Sequence, residues 1–249
     1  MRQKITPITK DTYCIYTPSY YNCTYLIKRG DAVILIDTGM RSDAKDIKMA
    51  MKTLDFPLSE IKTILLTHWH NDHSAGTAEL KNLTECTTYC HKEEAKYFER
   101  KQSSRLRRLS EYIPEYGILV LFKGLIGDVV PRNVKIDHLV KGNDIILDTF
   151  EVIETKGHTE GHISFYDKKS KLLFAGDSLA VIDQKLRLMA GPVTPDKESS
   201  KISIINSLTG RDIKGICPGH REPLLQNVNA EIKRFIDYVK TLEKWPLLG

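Results

Sequence analysis

Four apolar stretches of the chain end in the same way, and that repetition narrows the folds open to it. KTILLTHWH (62–70) runs from a strand-like segment into His68 and His70, with Asp72 and His73 completing HWHNDH. Farther along, Gly157 precedes His158 in GHTEGH, FAG precedes Asp177, and CPG precedes His220. Each is a buried-strand pattern followed by a small residue and then by an imidazole or a carboxylate. Glycine beside such a side chain lets the backbone approach closely and adopt unusual torsions. Strand ends and strand-to-helix turns are where layered α/β proteins gather their sites.

The rest of the chain supplies the strands and helices that such a layout needs. TYCIYT, CTYLIKR and AVILIDT are short β-rich runs, and a helix is predicted over about 43–54, stopping near Pro57. KTILLTH reads as a buried strand, Ala75 to Leu83 as a helix, TTYCH as a strand and Lys92 to about Leu109 as a helix. Residues 110–134 fit neither period, and 99–134 is expected to be a helical or irregular insertion capping the site, a dimer surface, or an elaborated piece of core. DIILDTF, FEVIETK, HISFYD and KLLFAGD are further strands, Lys197 to Leu208 is a helix, and IKGICPGH holds a short strand. In the last helix Leu224, Val228, Ile232, Phe235, Ile236, Val239 and Leu242 form an apolar stripe. Two β-rich halves that each supply helices predict two sheets packed together with helices outside, in a single domain over 1–249.

Composition excludes several classes. With 249 residues, 41% of them hydrophobic and 28% charged, the chain reads as an ordinary soluble globular protein. A net charge of +5 suits an anionic substrate and falls short of a nucleic-acid tail. RLRR (105–108) reads as a solvated helix face. The first residues lack the apolar core of a signal peptide, and no apolar stretch is long enough for a bilayer, so a cytoplasmic location is expected. Cys14, Cys23, Cys86, Cys90 and Cys217 are scattered and read as buried thiols rather than as disulfides or a zinc knuckle.

The polar residues at the strand ends read as metal ligands. His68 and His70, two apart at a strand end, point to one side. Asp72 or Ser74 is placed to cap the following helix. His68, His70, Asp72, His73, His158, Asp177 and His220 exceed the roughly four donors that one tetrahedral zinc accepts, and no thiolate lies among them. Two metal ions would use them all. His91 and His138 lack this setting.

HWHNDH resembles the His-x-His-x-Asp-His signature of the metallo-β-lactamase superfamily, and LIDTG (35–39), TKGHTEGH (155–162), AGD (175–177) and PGH (218–220) match its accompanying motifs in order. The resemblance implies a four-layer αβ/βα sandwich of two mixed β-sheets with helices on the outside. It implies that His68, His70 and His158 hold one ion, that Asp72, His73 and His220 hold the second, and that Asp177 bridges them. Asp37 would support the loop from beneath and His162 would buttress the loop of His158. Lys156 stands where relatives commonly carry proline.

The chemistry implied is hydrolysis by a bridging hydroxide, with Asp72 and Asp177 as catalytic residues and two divalent ions as cofactors. Zinc is expected, with iron and manganese also suited to an all-nitrogen and oxygen donor set. The motifs are similar to those of glyoxalase II-like thioesterases and of acyl-homoserine-lactone lactonases, which implies opening of a small ester, thioester or lactone. Only residues 221–249 follow His220, short of a separate glutathione-binding domain, and Ser178, Leu179 and Ala180 stand where lactonases often place a tyrosine. The alternatives are a phosphodiesterase or nuclease-like hydrolase and a non-haem iron oxidoreductase of the persulfide dioxygenase type. The expected partner is a small-molecule substrate, with a homodimer open and neither membrane nor nucleic acid.

Overall fold

The computed structural model describes residues 3–18, 21–99 and 133–247. The 99–134 insertion, and the part of the Lys92–Leu109 helix beyond residue 99, lie outside the described residues apart from 99, 133 and 134. The chain divides into two compact units, residues 1–90 with 95–138 and residues 91–94 with 139–249.

The first unit is built on a seven-stranded sheet whose order is the order of the chain, β1 (Lys4–Thr9), β2 (Thr12–Thr17), β3 (Asn22–Arg29), β4 (Ala32–Ile36), β5 (Ile61–Leu65), β6 (Thr87–His91) and β7 (His138–Val140). β1 to β4 pair antiparallel, whereas β4, β5 and β6 run parallel. Parallel pairing needs crossovers, and two helices provide them: α1 (Lys45–Thr53) between β4 and β5, and α3 (Thr77–Thr84) between β5 and β6. Ile47, Ala50 and Met51 are the buried residues of α1, at helical spacing, and they join Leu35, Ile64 and Leu66 in one core. A single turn, α2 (Asn71–Ser74), precedes α3, and α4 (Lys92–Phe98) follows β6.

The second unit holds a five-stranded sheet in the order β14-β11-β10-β9-β8 and a separate β12-β13 hairpin. Its strands are β8 (Ile145–Ile146), β9 (Phe150–Glu154), β10 (Ile163–Asp167), β11 (Leu172–Gly176), β12 (Ala180–Ile182), β13 (Lys185–Arg187) and β14 (Gly215–Pro218). β8 to β11 form an antiparallel meander, and β14 lies parallel to β11. Every residue of β10 and β11 is buried, which explains the unbroken apolar run of β11, while the polar Ser164 and Asp167 of β10 are buried with hydrogen-bond partners. α5 (Lys197–Leu208) is capped by Asp196, whose side chain accepts from the Ser199 amide. α6 (Val228–Lys240) buries Val228, Phe235, Ile236 and Val239. Glu231 of α6 accepts a hydrogen bond from the Leu186 amide (2.6 Å), and Arg234 donates to the Leu186 carbonyl (2.9 Å).

Several boundaries differ from the sequence expectation. DIILDTF is two strand residues and a turn, because Leu147 and Asp148 take positive φ (47° and 61°) to close the hairpin into β9. The apolar stripe of the last helix overruns it: Leu224 precedes α6 and bridges to Ile216, and Leu242 follows its end. The five cysteines are buried thiols, as expected. Among the described residues no helix is long and apolar enough to cross a membrane.

Candidate metal centre

In the first unit the site begins one residue beyond β4. Asp37 has φ 62°, a conformation that a short polar side chain tolerates, and it is buried beneath the HWHNDH loop. Its carboxylate accepts three hydrogen bonds: from the Thr67 amide (2.8 Å), from Thr67 Oγ1 (2.8 Å) and from His73 Nδ1 (2.9 Å). The Thr38 amide donates to the His73 carbonyl (2.6 Å), tying the residue after Asp37 to α2. Gly76 allows this close approach, since a Cβ there would stand 2.8 Å from the Thr38 carbonyl oxygen.

On that support the loop gathers its donors. The rings of His68 and His70 are 4.8 Å apart between centroids, those of His68 and His73 4.3 Å, and Asp72 Oδ2 lies 3.5 Å from His73 Nε2. Asn22 Nδ2 donates to the Asp72 carbonyl (2.8 Å). Neither Asp72 nor Ser74 caps a helix, contrary to the sequence reading: α2 and α3 have no side-chain cap, and Ser74 Oγ instead donates back to the Trp69 and His70 carbonyls (2.7 and 3.0 Å). Trp69, a spacer in the motif, stacks on Tyr97 (4.2 Å between ring centroids) and meets His70 edge-on.

The second unit brings together the other three residues. Asp177, immediately past β11, has Oδ2 3.6 Å from His158 Nε2 and 3.2 Å from His220 Nε2. His158 stands on the turn after β9, and its Nδ1 bonds the Val193 carbonyl (2.6 Å). His162 is turned away from any ligand role. Its Nε2 accepts from the Asp177 amide (2.9 Å), so its Nδ1 carries the proton and donates to Thr155 Oγ1 (2.8 Å). Thr155 passes the chain to Ser164 Oγ (2.9 Å), which donates to the Ala175 carbonyl (3.1 Å). The side chain of His162 thus fixes the turn that carries Asp177, while its carbonyl, accepting from the Thr155 amide (2.9 Å), closes the loop of His158.

The hydrogen-bond partners set the tautomers of three imidazoles. Thr67 Oγ1 gives its proton to Asp37, so at 3.0 Å it accepts from His68 Nδ1–H. Asp37 and the Val193 carbonyl are acceptors only, so His73 and His158 are also Nδ1–H. Each ring therefore presents a basic Nε2, and those of His73 and His158 face carboxylate oxygens at 3.5 and 3.6 Å. Lone pairs turned toward carboxylates are the arrangement that a divalent cation satisfies, and the fixed Nδ1 partners are what metal-binding histidines require. The donor set fits metal ions.

The remaining histidines stand apart. His91 Nε2 faces Glu154 Oε1 at 3.7 Å, and burial pushes its imidazole below the ordinary value. His138 is exposed and stacks on Tyr89. Lys156 pairs with Glu154 (3.1 Å) while its carbonyl accepts from Ser203 (2.8 Å), so the loop is anchored there without a proline. Thr67, Thr155 and the Val193 carbonyl were not singled out in the sequence. Thr67, next to the motif, was the one with a visible signal.

Comparison with known proteins agrees with this fold and donor chemistry. The family model of the metallo-beta-lactamase superfamily matches residues 17–220, and the chain belongs to that superfamily of metal-dependent hydrolases. Its fold is the αβ/βα sandwich of two mixed sheets with peripheral helices. Among its relatives is a probable metallo-hydrolase of Bacillus subtilis (strain 168), YflN, 28% identical over 77% of this chain and 76% of that protein. A hydroxyacylglutathione hydrolase of Bdellovibrio bacteriovorus is 27% identical over 70% of this chain, which spans 51% of that protein. A metallo-beta-lactamase family protein from Thermus thermophilus superposes with a TM-score of 0.64 at 20% identity, over 94% of this chain and 81% of that one. Among the described residues, side chains that could hold a metal ion are clustered in a way consistent with a dinuclear centre.

Proposed function

We propose that the chain is a dinuclear-metal hydrolase that opens an ester, thioester or lactone of a small substrate. In this reading His68, His70 and His158 hold one ion, Asp72, His73 and His220 hold the other, and Asp177 contributes to both. The observation that carries it is the set of fixed tautomers, which aims the Nε2 atoms of His73 and His158 at Asp72 and Asp177. Paired divalent ions, when bound, supply a nucleophile from water at neutral pH and a Lewis acid for the carbonyl oxygen.

The chain's own residues do the rest. Asp37 and Thr67 keep His68 and His73 deprotonated at Nε2, and the Val193 carbonyl does the same for His158. Asp72 is the less buried of the two acidic donors, its side chain 22% exposed against 4% for Asp177, which suits a group that hands a proton to the leaving atom. Zinc is the proposed metal, from the all-nitrogen and oxygen donors at neutral pH. The acyl-thiol linkage is favoured by the relative named for hydroxyacylglutathione.

The test is metal content together with turnover of ester, thioester, lactone and phosphodiester substrates. Dialysis against a chelator should abolish acyl hydrolysis and added Zn2+ should restore it, while Asp177→Ala should lack both activity and a full metal complement. Full turnover by metal-depleted protein would overturn the mechanism. Cleavage confined to phosphodiesters, or iron with oxygen uptake, would overturn the substrate class.

A further inference from the structure

The loop that presents His158 is gripped from two sides. On one side it meets α5 and the segment before it: Asp196 donates its amide to the Gly157 carbonyl (3.2 Å), and Ser203 donates to the Lys156 carbonyl (2.8 Å). On the other side lies the tetrapeptide His91–Glu94, within the same unit. Glu94 is fully buried, and its Oε1 accepts the Gly161 amide at 2.7 Å. Gly161 sits so tightly on this tetrapeptide that a Cβ would lie 2.6 Å from His91 Nδ1 and 2.9 Å from Glu94 Oε1. His91 is itself fixed, with Nδ1 accepting the Glu93 amide (3.3 Å) and Nε2 toward Glu154.

Burying a carboxylate is expensive unless strong hydrogen bonds answer it, and here one of them goes to the backbone of the His158 loop. We propose that Glu94 is a positioning residue: its bond to Gly161 sets the height of the 157–162 loop, and so the affinity for the ion that His158 holds. This rests on the metal assignment made above. Glu94 touches no reacting atom; it acts through Gly161 and His158.

The experiment is titration of Zn2+ into the full-length, metal-depleted chain against a chromophoric chelator, repeated with Co2+ to read the absorption band of each site. Glu94→Ala should weaken one of the two ions by about 10–100-fold, the range typical for loss of a group that orients a ligand, and leave the other at the wild-type value. Glu94→Gln keeps the acceptor and should restore wild-type affinity. Gly161→Ala, which forces a Cβ onto the same contact, should reproduce the selective loss if Glu94→Ala does not fold. Wild-type affinity for both ions in Glu94→Ala and Gly161→Ala would overturn the inference, as would equal weakening of both ions with no rescue by Gln. A wild-type chain that takes up no second ion would instead bring down the metal assignment, and this inference with it.

Discussion

Replacing Asp37 with asparagine changes almost no volume, yet the hydrogen-bond polarity around it leaves the amide no satisfactory orientation. The carboxylate receives the Thr67 amide on Oδ1, and the Thr67 hydroxyl and His73 Nδ1–H on Oδ2. If the asparagine NH2 takes the place of Oδ1, it opposes the Thr67 amide, donor against donor. Leaving that buried donor unsatisfied costs about 1–3 kcal/mol, which for a chain of this size lowers the melting temperature by about 2–12 °C. If the NH2 takes the place of Oδ2, His73 must accept at Nδ1 and carry its proton on Nε2. Thr67 then receives a proton from the amide and turns its own toward His68 Nδ1, so the second ring flips as well. Both imidazoles would present N–H where a ligand lone pair is needed, and Zn2+ affinity should fall by about 10–100-fold for each misoriented ligand. Melting of the metal-free protein, Zn2+ titration and nitrogen NMR of the histidine tautomers together register either outcome. An Asp37→Asn protein that matches wild type in all three would refute the polarity assigned to this network.

Two further substitutions probe the second unit. His162→Ala removes the partner of the Asp177 amide, while Thr155 Oγ1 keeps Ser164 Oγ, and one buried donor left unpaired should destabilise the protein by about 1–3 kcal/mol in urea unfolding; an unshifted midpoint would contradict the chain of bonds described. Burial alone would raise the Glu231 carboxyl, but the Arg234 guanidinium and the Leu186 amide hold it below the ordinary carboxylate value. A carboxyl whose folded value is depressed contributes its full stability above the unfolded value and loses it as the pH falls through the folded one. The melting temperature of the wild type should therefore drop more steeply than that of Glu231→Gln between about pH 5 and about pH 3, and parallel curves would refute the coupling.

Much of this architecture was legible in the sequence, because burial on both faces of a strand writes itself as an unbroken apolar run. TTYCH and Lys197–Leu208 appear with their boundaries intact, and metal-ligating side chains do gather in clusters at the strand ends. What escaped was whatever depends on main-chain atoms or on partners distant in sequence. The Val193 carbonyl that orients His158 leaves no residue-type signature, and Glu94 reads as one more charge on a helical face until Gly161 is seen against it. The β12-β13 hairpin escaped for a different reason, since its three-residue strands carry too few positions for a period to show. The stop of DIILDTF after two strand residues was hidden by two residues with positive φ that are neither glycine nor asparagine.

The contact between α6 and Leu186 has a meaning beyond the stability of the helix. Among the described residues β13 pairs with β12 on one side only, so its other rim would be an open row of amides and carbonyls. A carboxylate that accepts one amide and a guanidinium that donates to the same residue's carbonyl together imitate a neighbouring strand. The helix thereby closes a rim on which another chain could otherwise add itself, the kind of protection that edge strands need against self-association. Glu231 and Arg234 thus occupy the outward amide and carbonyl of Leu186 as well as holding the helix in place.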